Sequence, residues 1–153
     1  MARFLGVKLF RGVVLFLHSE SYVAWVRRAG THEALVQQAE AECAGDPRKM
    51  FDWLYRSMGS VVRFGRTARF DYLTMLGKIG LAPIEPGSTY MTGATGPFSG
   101  GCLLFGTGRS VNRSEMDQRL VRLGDRLNVG MQVIEDALCN WQKSPGTLVR
   151  FRG

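Results

Sequence analysis

Apolar residues recur at steps of three and four over the last third of the chain, which is the spacing of one face of an α-helix. The stripe begins after Ser114, a candidate N-cap, and runs almost to Pro145. Its members are Met116, Leu120, Leu123, Leu127, Met131, Ile134, Leu138 and Trp141. The pattern predicts a long helix in which Gly124 and Gly130 produce a bend, a break into two helices, or a close approach to a neighbour.

Residues that favour helix starts and stops predict two shorter helices before residue 46. The first is expected over residues 19–29, with Ser19 as N-cap and Gly30 as the end. The second is expected to begin after Thr31 and to end at Gly45. Together with the long C-terminal stripe, they indicate a mainly α protein.

A third helix is predicted in "PRKMFDWLYRSM", where Asp46 is a candidate N-cap and Pro47 the first helical residue. Its apolar residues fall at helical spacing, which places Trp53 in the core. A fourth helix is expected over Thr67 to Leu76, within about three residues at each end. The N-terminal run "GVVLFL" is far too short for a membrane span and predicts a buried strand or a helix start.

The middle of the chain is rich in residues that interrupt regular structure. Between Gly77 and Gly108 the sequence has nine glycines and three prolines. The same stretch contains Leu, Ile, Phe and Tyr residues that need burial, so we expect a long, ordered Gly/Pro-rich loop rather than a linker. Loops of this length inside a domain are usually functional.

Composition and charge narrow the class of partner. Hydrophobic residues make up 45% of the 153 positions and charged residues 22%, which favours a single folded domain over residues 1–153. The net charge of +7 favours a nucleic acid ahead of an anionic membrane. The three cysteines, Cys43, Cys102 and Cys139, have no metal-ligand or redox spacing. We therefore expect reduced thiols in a cytoplasmic protein with no metal and no cofactor.

An arginine cluster interleaved with aromatic residues is the first candidate for chemistry. It consists of Arg56, Arg63, Arg66 and Arg69, followed by Lys78, with Phe64, Phe70 and Tyr72 between them. Guanidinium groups make forked contacts to phosphate, and aromatic faces stack on a displaced base. The alternative is that the aromatics belong to the core and the arginines are solvated.

Two carboxylates are candidates for acid–base or charge-stabilising roles. Asp71 follows the arginine cluster, and the alternative role for it is an ion pair with Arg66 or Arg69. Asp136 lies on the predicted polar face of the last helix, opposite the apolar stripe. That face comprises Gln132, Asp136, Asn140 and Lys143. A solvated polar face is the simpler interpretation of this pattern.

Two glycine-rich turns are weak candidates for binding a phosphate through backbone N–H groups. "LGKIG", Leu76 to Gly80, resembles the hairpin of helix-hairpin-helix DNA-binding units, in which backbone N–H groups approach a phosphate. It departs from that hairpin because prolines follow where a helix should begin. "GATGP", Gly93 to Pro97, is a second turn able to present N–H groups.

Two long strings give a more specific resemblance. "MFDWLYRSMGSVVRFGRTARFDYLTMLGKIGLAPIEPGSTYMTGATGP" and "GMQVIEDALCNWQKSP" resemble the third clade of the alpha-glutamyl/putrescinyl thymine pyrophosphorylases, over roughly residues 20–145. The resemblance implies a helix-hairpin-helix, DNA-glycosylase-like helical fold. It also implies action on thymine hypermodified through 5-hydroxymethyluracil, in phage and bacterial settings, with the nucleotide flipped out of the stack.

The resemblance assigns expected roles to the candidate residues. Asp71 and Asp136 would be catalytic, and Lys143 is added from the "CNWQK" positions. The arginine cluster would hold phosphates with help from Lys78, while Tyr72 or Trp141 would flank the base. The "ED" and "CNWQK" positions also draw attention to Glu135 and to Asn140, which is expected to contact the nucleic acid. The expected partners are DNA and other DNA-modification proteins.

The sequence departs from the family pattern in one place. No basic residue lies between Phe98 and Phe105, where an arginine is expected after "GP".

Two other functions compete with action on a modified base. They are a non-catalytic DNA-binding module on the same scaffold and a protein-interaction subunit. Asp71 and Asp136 converging on one cleft favours an enzyme, whereas exposed surface ion pairs favour the module. A large exposed apolar patch without a positive cleft favours the interaction subunit.

Overall fold

The computed structural model describes residues 19–147, which form α-helices and one short 3-10 turn, with no strand in that range. Helix α1 occupies residues 19–27. The others are α2 (His32–Glu42), α3 (Pro47–Ser57), α4 (Arg66–Lys78), α5 (Gly96–Leu104), α6 (Arg113–Leu127) and α7 (Met131–Trp141), and the 3-10 turn is Met58–Ser60. The prediction of a mainly α protein is confirmed. The predicted strand or helix start in "GVVLFL" lies outside the described residues.

The helix starts in the first half follow local side-chain chemistry. Thr31 Oγ1 accepts a hydrogen bond from the amide of Ala34 at 3.1 Å. Asp46 Oδ1 accepts from the amides of Arg48 and Lys49, and Pro47 occupies the first turn, where its missing N–H costs nothing. Both predicted N-caps are therefore confirmed.

The N-cap predicted for the C-terminal stripe is wrong by two residues. Asn112, not Ser114, caps α6, because the Asn112 side-chain oxygen accepts from the Ser114 amide at 2.8 Å. The stripe itself is two helices. Asn128 takes the left-handed conformation with φ 51° and ends α6, and α7 begins after Gly130. A Cβ at Gly124 would lie 2.9 Å from the Val129 carbonyl oxygen, so glycine permits this tight connection.

The long Gly/Pro-rich ordered loop expected from 77 to 108 is divided by a short helix, because α5 forms within it. Its glycines serve close packing instead of breaking the helix. A Cβ at Gly100 would lie 2.4 Å from the Leu138 carbonyl oxygen, and one at Gly101 would lie 2.7 Å from Met116 Sδ. Burial against α6 and α7 offsets the helix-propensity cost of glycine, about 1 kcal/mol per residue.

The buried residues form two hydrophobic clusters. The first lies among α1–α4 and includes the fully buried Trp25, Phe51 and Phe70. Trp53, predicted as core, is only partly buried against it, because the residues at its neighbouring positions in α3, Phe51 and Leu54, take the innermost places.

The second cluster lies among α5, α6 and α7, with Phe98, Met116 and Leu120 at its centre. The two clusters meet at adjacent positions of the chain. Tyr90 packs on the first cluster, whereas Met91 is buried in the second. The segment that enters α5 is therefore held between both. Among the helices described, none is both long and apolar enough to cross a membrane.

Candidate functional site

Arg66, at the start of α4, is the centre of a buried polar network. Its Nη2 donates to the Thr89 carbonyl at 2.6 Å, and its Nε donates to the Tyr90 carbonyl at 3.1 Å. Its Nη1 forms an ion pair with Glu135 on α7, and the two side chains are only 8% and 7% exposed. The planar guanidinium thus joins α4, the segment before α5 and α7 at one point.

The segment before α5 is also held from α6. Asp117 accepts hydrogen bonds from the Thr89 hydroxyl at 2.7 Å and from the Met91 amide at 2.9 Å. Arg113 Nη1 donates to the carbonyl oxygens of Met91 and Ala94, at 2.8 and 2.5 Å. Charge-assisted contacts from both sides fix the backbone conformation of residues 89–94.

This fixed segment leads into the amino end of α5, which we call the glycine turn, residues 93–96. Gly93 takes φ 81°, a conformation that favours glycine. No side chain caps α5 and no acidic residue lies in its first turn. A helix end of this kind attracts anions through its N–H groups and dipole.

The glycine turn lies against the carboxyl end of α7. A Cβ at Gly96 would be 3.0 Å from Cys139 Sγ and 3.6 Å from Gln142 Nε2, so only glycine fits there without displacing α7 side chains. The "GATGP" and "CNWQK" strings, far apart in sequence, therefore form one surface.

Glu135 pairs with Arg66, and two further carboxylates, Asp71 and Asp136, act on Glu135 through their charges. Burial raises the pKa of Glu135, the hydrogen bond and charge of Arg66 oppose this, and the charges of Asp136 and Asp71 reinforce it. Partial desolvation also raises the pKa of Asp71, against the attraction of Arg66 and with the repulsion of Asp136. One cation thus acts on two carboxylates, Glu135 and Asp71, and the charge of Asp136 opposes it at both, an arrangement that favours holding a proton on one of them.

Asp71 and Asp136 remain reachable, since Asp71 is exposed and Asp136 is partly buried. Neither forms a salt bridge with the described residues; Asp136 Oδ2 accepts from Gln132 Nε2 at 3.0 Å. The ion pair considered for Asp71 with Arg69 is absent from the described contacts, and Arg66 pairs with Glu135 instead. The charge of Asp136 contributes to raising the pKa of Asp71, so the two aspartates lie in the same neighbourhood.

The polar face of α7 continues from this site to the helix end. Asn140 Nδ2 donates to the Asp136 carbonyl at 2.9 Å, and Lys143 Nζ lies 3.4 Å from Asn140 Oδ1. Asn140 and Lys143 are exposed, and Trp141 is 39% exposed. These groups form an accessible rim beside the glycine turn.

The arginine cluster of the sequence is divided in space. Arg56 is exposed and pairs with Asp52 at 2.8 Å. Arg69 lies over the Tyr55 ring at 4.4 Å and donates to the Tyr55 carbonyl at 3.2 Å. Arg63 is exposed just before α4. The structure therefore brings Arg66 alone of the four into the network around Glu135.

Tyr72 and Lys78 also lie apart from the carboxylates. The Tyr72 hydroxyl is 2.7 Å from that of Tyr22 and 3.2 Å from His32 Nε2, and burial raises the pKa of Tyr72 far above its usual value. Lys78 is exposed in the last turn of α4, at the far end of the helix from Arg66.

Two functional candidates were missed from the sequence. Arg109 Nη2 donates to Ser99 Oγ at 2.8 Å, and the Arg113 guanidinium lies 4.1 Å from the centre of the Phe98 ring. Basic groups therefore reach α5 from the next segment, although none lies between Phe98 and Phe105. The cluster of arginines around the start of α6 was the available signal in the sequence.

The described residues contain no group of three His, Cys, Asp or Glu side chains able to hold a metal ion, and all three cysteines are free. Comparison with curated proteins and with solved structures finds no match to the chain. The family model of alpha-glutamyl/putrescinyl thymine pyrophosphorylase clade 3 matches residues 16–153. These residues include the Arg66 network, the glycine turn and both aspartates. The chain belongs to the alpha-glutamyl/putrescinyl thymine pyrophosphorylase family, clade 3.

Proposed function

We propose that this protein binds DNA and acts on the 5-substituent of a modified thymine, of the 5-hydroxymethyluracil kind, after that base has left the stack. The observation that carries the proposal is the Arg66–Glu135 pair, because Arg66 lies against Gly93 of the glycine turn and the charges of Asp71 and Asp136 act on Glu135. The family name supplies thymine as the base. A substituent inside a duplex is more easily reached when the nucleotide is extruded.

The glycine turn is the proposed contact for the DNA backbone, in the manner of a helix-hairpin-helix unit. Its N–H groups and the α5 dipole favour a phosphate, and no side chain of the first turn competes. The exposed Lys143 and Arg109 supply positive charge on either side of the turn. Arg63, exposed just before α4, would be a further phosphate contact.

The aspartates are the proposed catalytic residues. Asp71, whose pKa is raised, would transfer a proton at the 5-substituent, and Asp136 would stabilise positive charge that develops there. Arg66 and Glu135 would act as positioning residues, since both are buried. Asn140 and Trp141, on the α7 rim, would contact the base edge and face.

The first experiment is a fluorescence-anisotropy titration with two duplexes that differ in one base, thymine or 5-hydroxymethyluracil, at several salt concentrations. We expect binding that weakens steeply with salt and favours the modified base. The Asp136→Asn variant should lose the preference while keeping the salt dependence. Arg56→Ala is the matched control, because Arg56 lies away from the site on α3.

Equal affinity of the wild-type protein for both duplexes would contradict action on a modified base and support a non-catalytic DNA-binding module. Absence of binding at low salt would contradict both DNA functions. A protein-interaction subunit is the remaining candidate, and exposed apolar side chains at the end of α4 favour it. These are Met75, Ile79 and Leu81, which are 50%, 60% and 62% exposed.

A further inference from the structure

Residues 89–91, which we call the bridging segment, are held by Asp117 on α6. Asp117 Oδ1 accepts a hydrogen bond from the Thr89 hydroxyl at 2.7 Å, and its Oδ2 accepts from the Met91 amide at 2.9 Å. Both donor residues are fully buried, so water does not offer them another acceptor. The two carboxylate oxygens therefore restrain the residues on either side of Tyr90.

The bridging segment in turn holds Arg66 on α4. Arg66 Nη2 donates to the Thr89 carbonyl and Nε donates to the Tyr90 carbonyl, so one planar guanidinium reaches two consecutive carbonyls. Tyr90 between them takes φ 49°, a left-handed conformation that a bulky side chain rarely adopts. Such a conformation persists only where the surroundings maintain it. The position of Arg66 therefore depends on whatever holds the backbone at Tyr90.

The peptide group between Tyr90 and Met91 is held at both ends by charged side chains. Its N–H donates to Asp117, and its carbonyl oxygen accepts from Arg66. In a trans peptide the N–H and the C=O point in opposite directions. The hydrogen bond to Asp117 thus directs the carbonyl toward Arg66. Rotation of this peptide would turn its carbonyl toward the Asp117 carboxylate and its N–H toward the Arg66 cation, which both charges oppose.

Arg113, one turn before Asp117 on α6, holds a different part of the chain. Its Nη1 donates to the carbonyl oxygens of Met91 and Ala94, on the side of the glycine turn. The cation of α6 therefore restrains the entry to α5, whereas its carboxylate restrains the carbonyls that Arg66 uses. This division assigns the orientation of Arg66 to Asp117.

The influence of Asp117 on the buried pair passes through Arg66. Arg66 forms the ion pair with Glu135, and the charges that act on the pKa of Glu135 are those of Arg66, Asp136 and Asp71. A change at Asp117 therefore reaches Glu135 by moving the guanidinium rather than through the charge of Asp117 itself.

We propose that Asp117 is a positioning residue of the candidate site. By accepting from Thr89 and Met91, it directs two backbone carbonyls at Arg66 and so holds the guanidinium against Glu135. The inference rests on the proposed function, because it concerns the carboxylate site that this function uses. It adds a residue from α6, a helix that contributes none of the proposed catalytic groups.

The test is hydrogen exchange of the Arg66 Nε–H, observed by NMR in the ¹⁵N-labelled full chain. In the wild type this N–H should exchange slowly, since it is buried and bonded to the Tyr90 carbonyl. Asp117→Asn leaves one acceptor oxygen for two donors, so exchange should accelerate roughly tenfold, the scale of one lost hydrogen bond. Amides within α4 and α7 should keep their protection, which separates release of Arg66 from unfolding.

A second pair of variants tests the same contact without changing any charge. Thr89→Val removes the hydroxyl that donates to Asp117, so it should also accelerate exchange of the Arg66 Nε–H. Thr89→Ser keeps the hydroxyl and should restore the wild-type rate. In Asp117→Asn the pKa of Glu135 should rise, because Arg66 opposes the effect of burial there. A purely structural role of Asp117 would leave this titration unchanged.

Asp125→Asn is the matched control, since Asp125 is an exposed aspartate of the same helix that lies 3.8 Å from Arg48. It should leave the Arg66 Nε–H unchanged. Unchanged exchange in both Asp117→Asn and Thr89→Val would overturn the inference, and so would equal acceleration in the control. Either result leaves the proposed function standing if the wild type prefers the modified duplex. Absence of that preference would contradict the proposed function, and the exchange rates would still decide whether Asp117 positions Arg66.

Discussion

Arg66 on α4 and Glu135 on α7 form an ion pair that is almost completely shielded from solvent. The same guanidinium donates to two backbone carbonyls of the segment that enters α5. The pair therefore determines how the two halves of the described fold meet.

Arg66→Met should destabilise the protein by about 3–5 kcal/mol, because it leaves the buried Glu135 carboxylate and two carbonyls without their donor. Urea-induced unfolding followed by circular dichroism measures this loss. Arg56→Ala, which removes an exposed pair with Asp52, should cost less than about 1 kcal/mol. Similar losses in the two variants would contradict the structural role of the buried pair.

Gly100→Ala should destabilise by about 1–3 kcal/mol or more, because the added Cβ would lie 2.4 Å from the Leu138 carbonyl oxygen. Backbone atoms of α7 cannot move aside as a flexible side chain can. Gly65→Ala is the control, since nothing lies within 4 Å of a Cβ there. A thermal unfolding midpoint of Gly100→Ala equal to that of Gly65→Ala would show that α5 and α7 are not packed so closely.

Asp71→Asn should change how stability depends on pH. The pKa of Asp71 is raised in the fold, mainly by partial desolvation, so its contribution to stability is greatest below the unfolded pKa and is lost as pH rises through the folded pKa. The variant cannot lose this contribution. We expect its free energy of unfolding to gain on that of the wild type from about pH 4 upward. Parallel stability curves would contradict the raised pKa.

Thr74→Val should stabilise the protein by about 1 kcal/mol or more, because it removes a buried hydroxyl that has no partner among the described residues. Val keeps the shape of the side chain. Thr92→Val, at an exposed position, should have little effect on the urea midpoint. A clear loss of stability in Thr74→Val would indicate that the hydroxyl already has a partner.

The helices of the first half could be predicted because local signals decide them. Thr31, Asp46 and Pro47 act on backbone groups within a few residues, so the sequence contains both partners of each interaction. The end of α6 is less predictable, because both a bend and a break suit the pattern around Gly124. The choice depends on Met131 packing against that glycine.

The helix α5 could not be predicted, since its glycines look like interruptions until α6 and α7 are placed beside them. The candidate site could not be predicted from the sequence either. Arg66, Glu135 and Asp117 are distant in sequence, and a shared buried network has no periodicity to reveal it. Arginines close in sequence were separated because each faces a different part of the fold, as Arg69 on Tyr55 shows.

The most direct test of the central claim is the unstacking of the target base. A duplex with 2-aminopurine next to a single 5-hydroxymethyluracil reports extrusion as a rise in fluorescence. We expect the wild-type protein to increase this signal, more than with thymine at the same position, and Asp136→Asn to bind with a smaller increase. Tight binding with no fluorescence change at either base would contradict action on a flipped thymine.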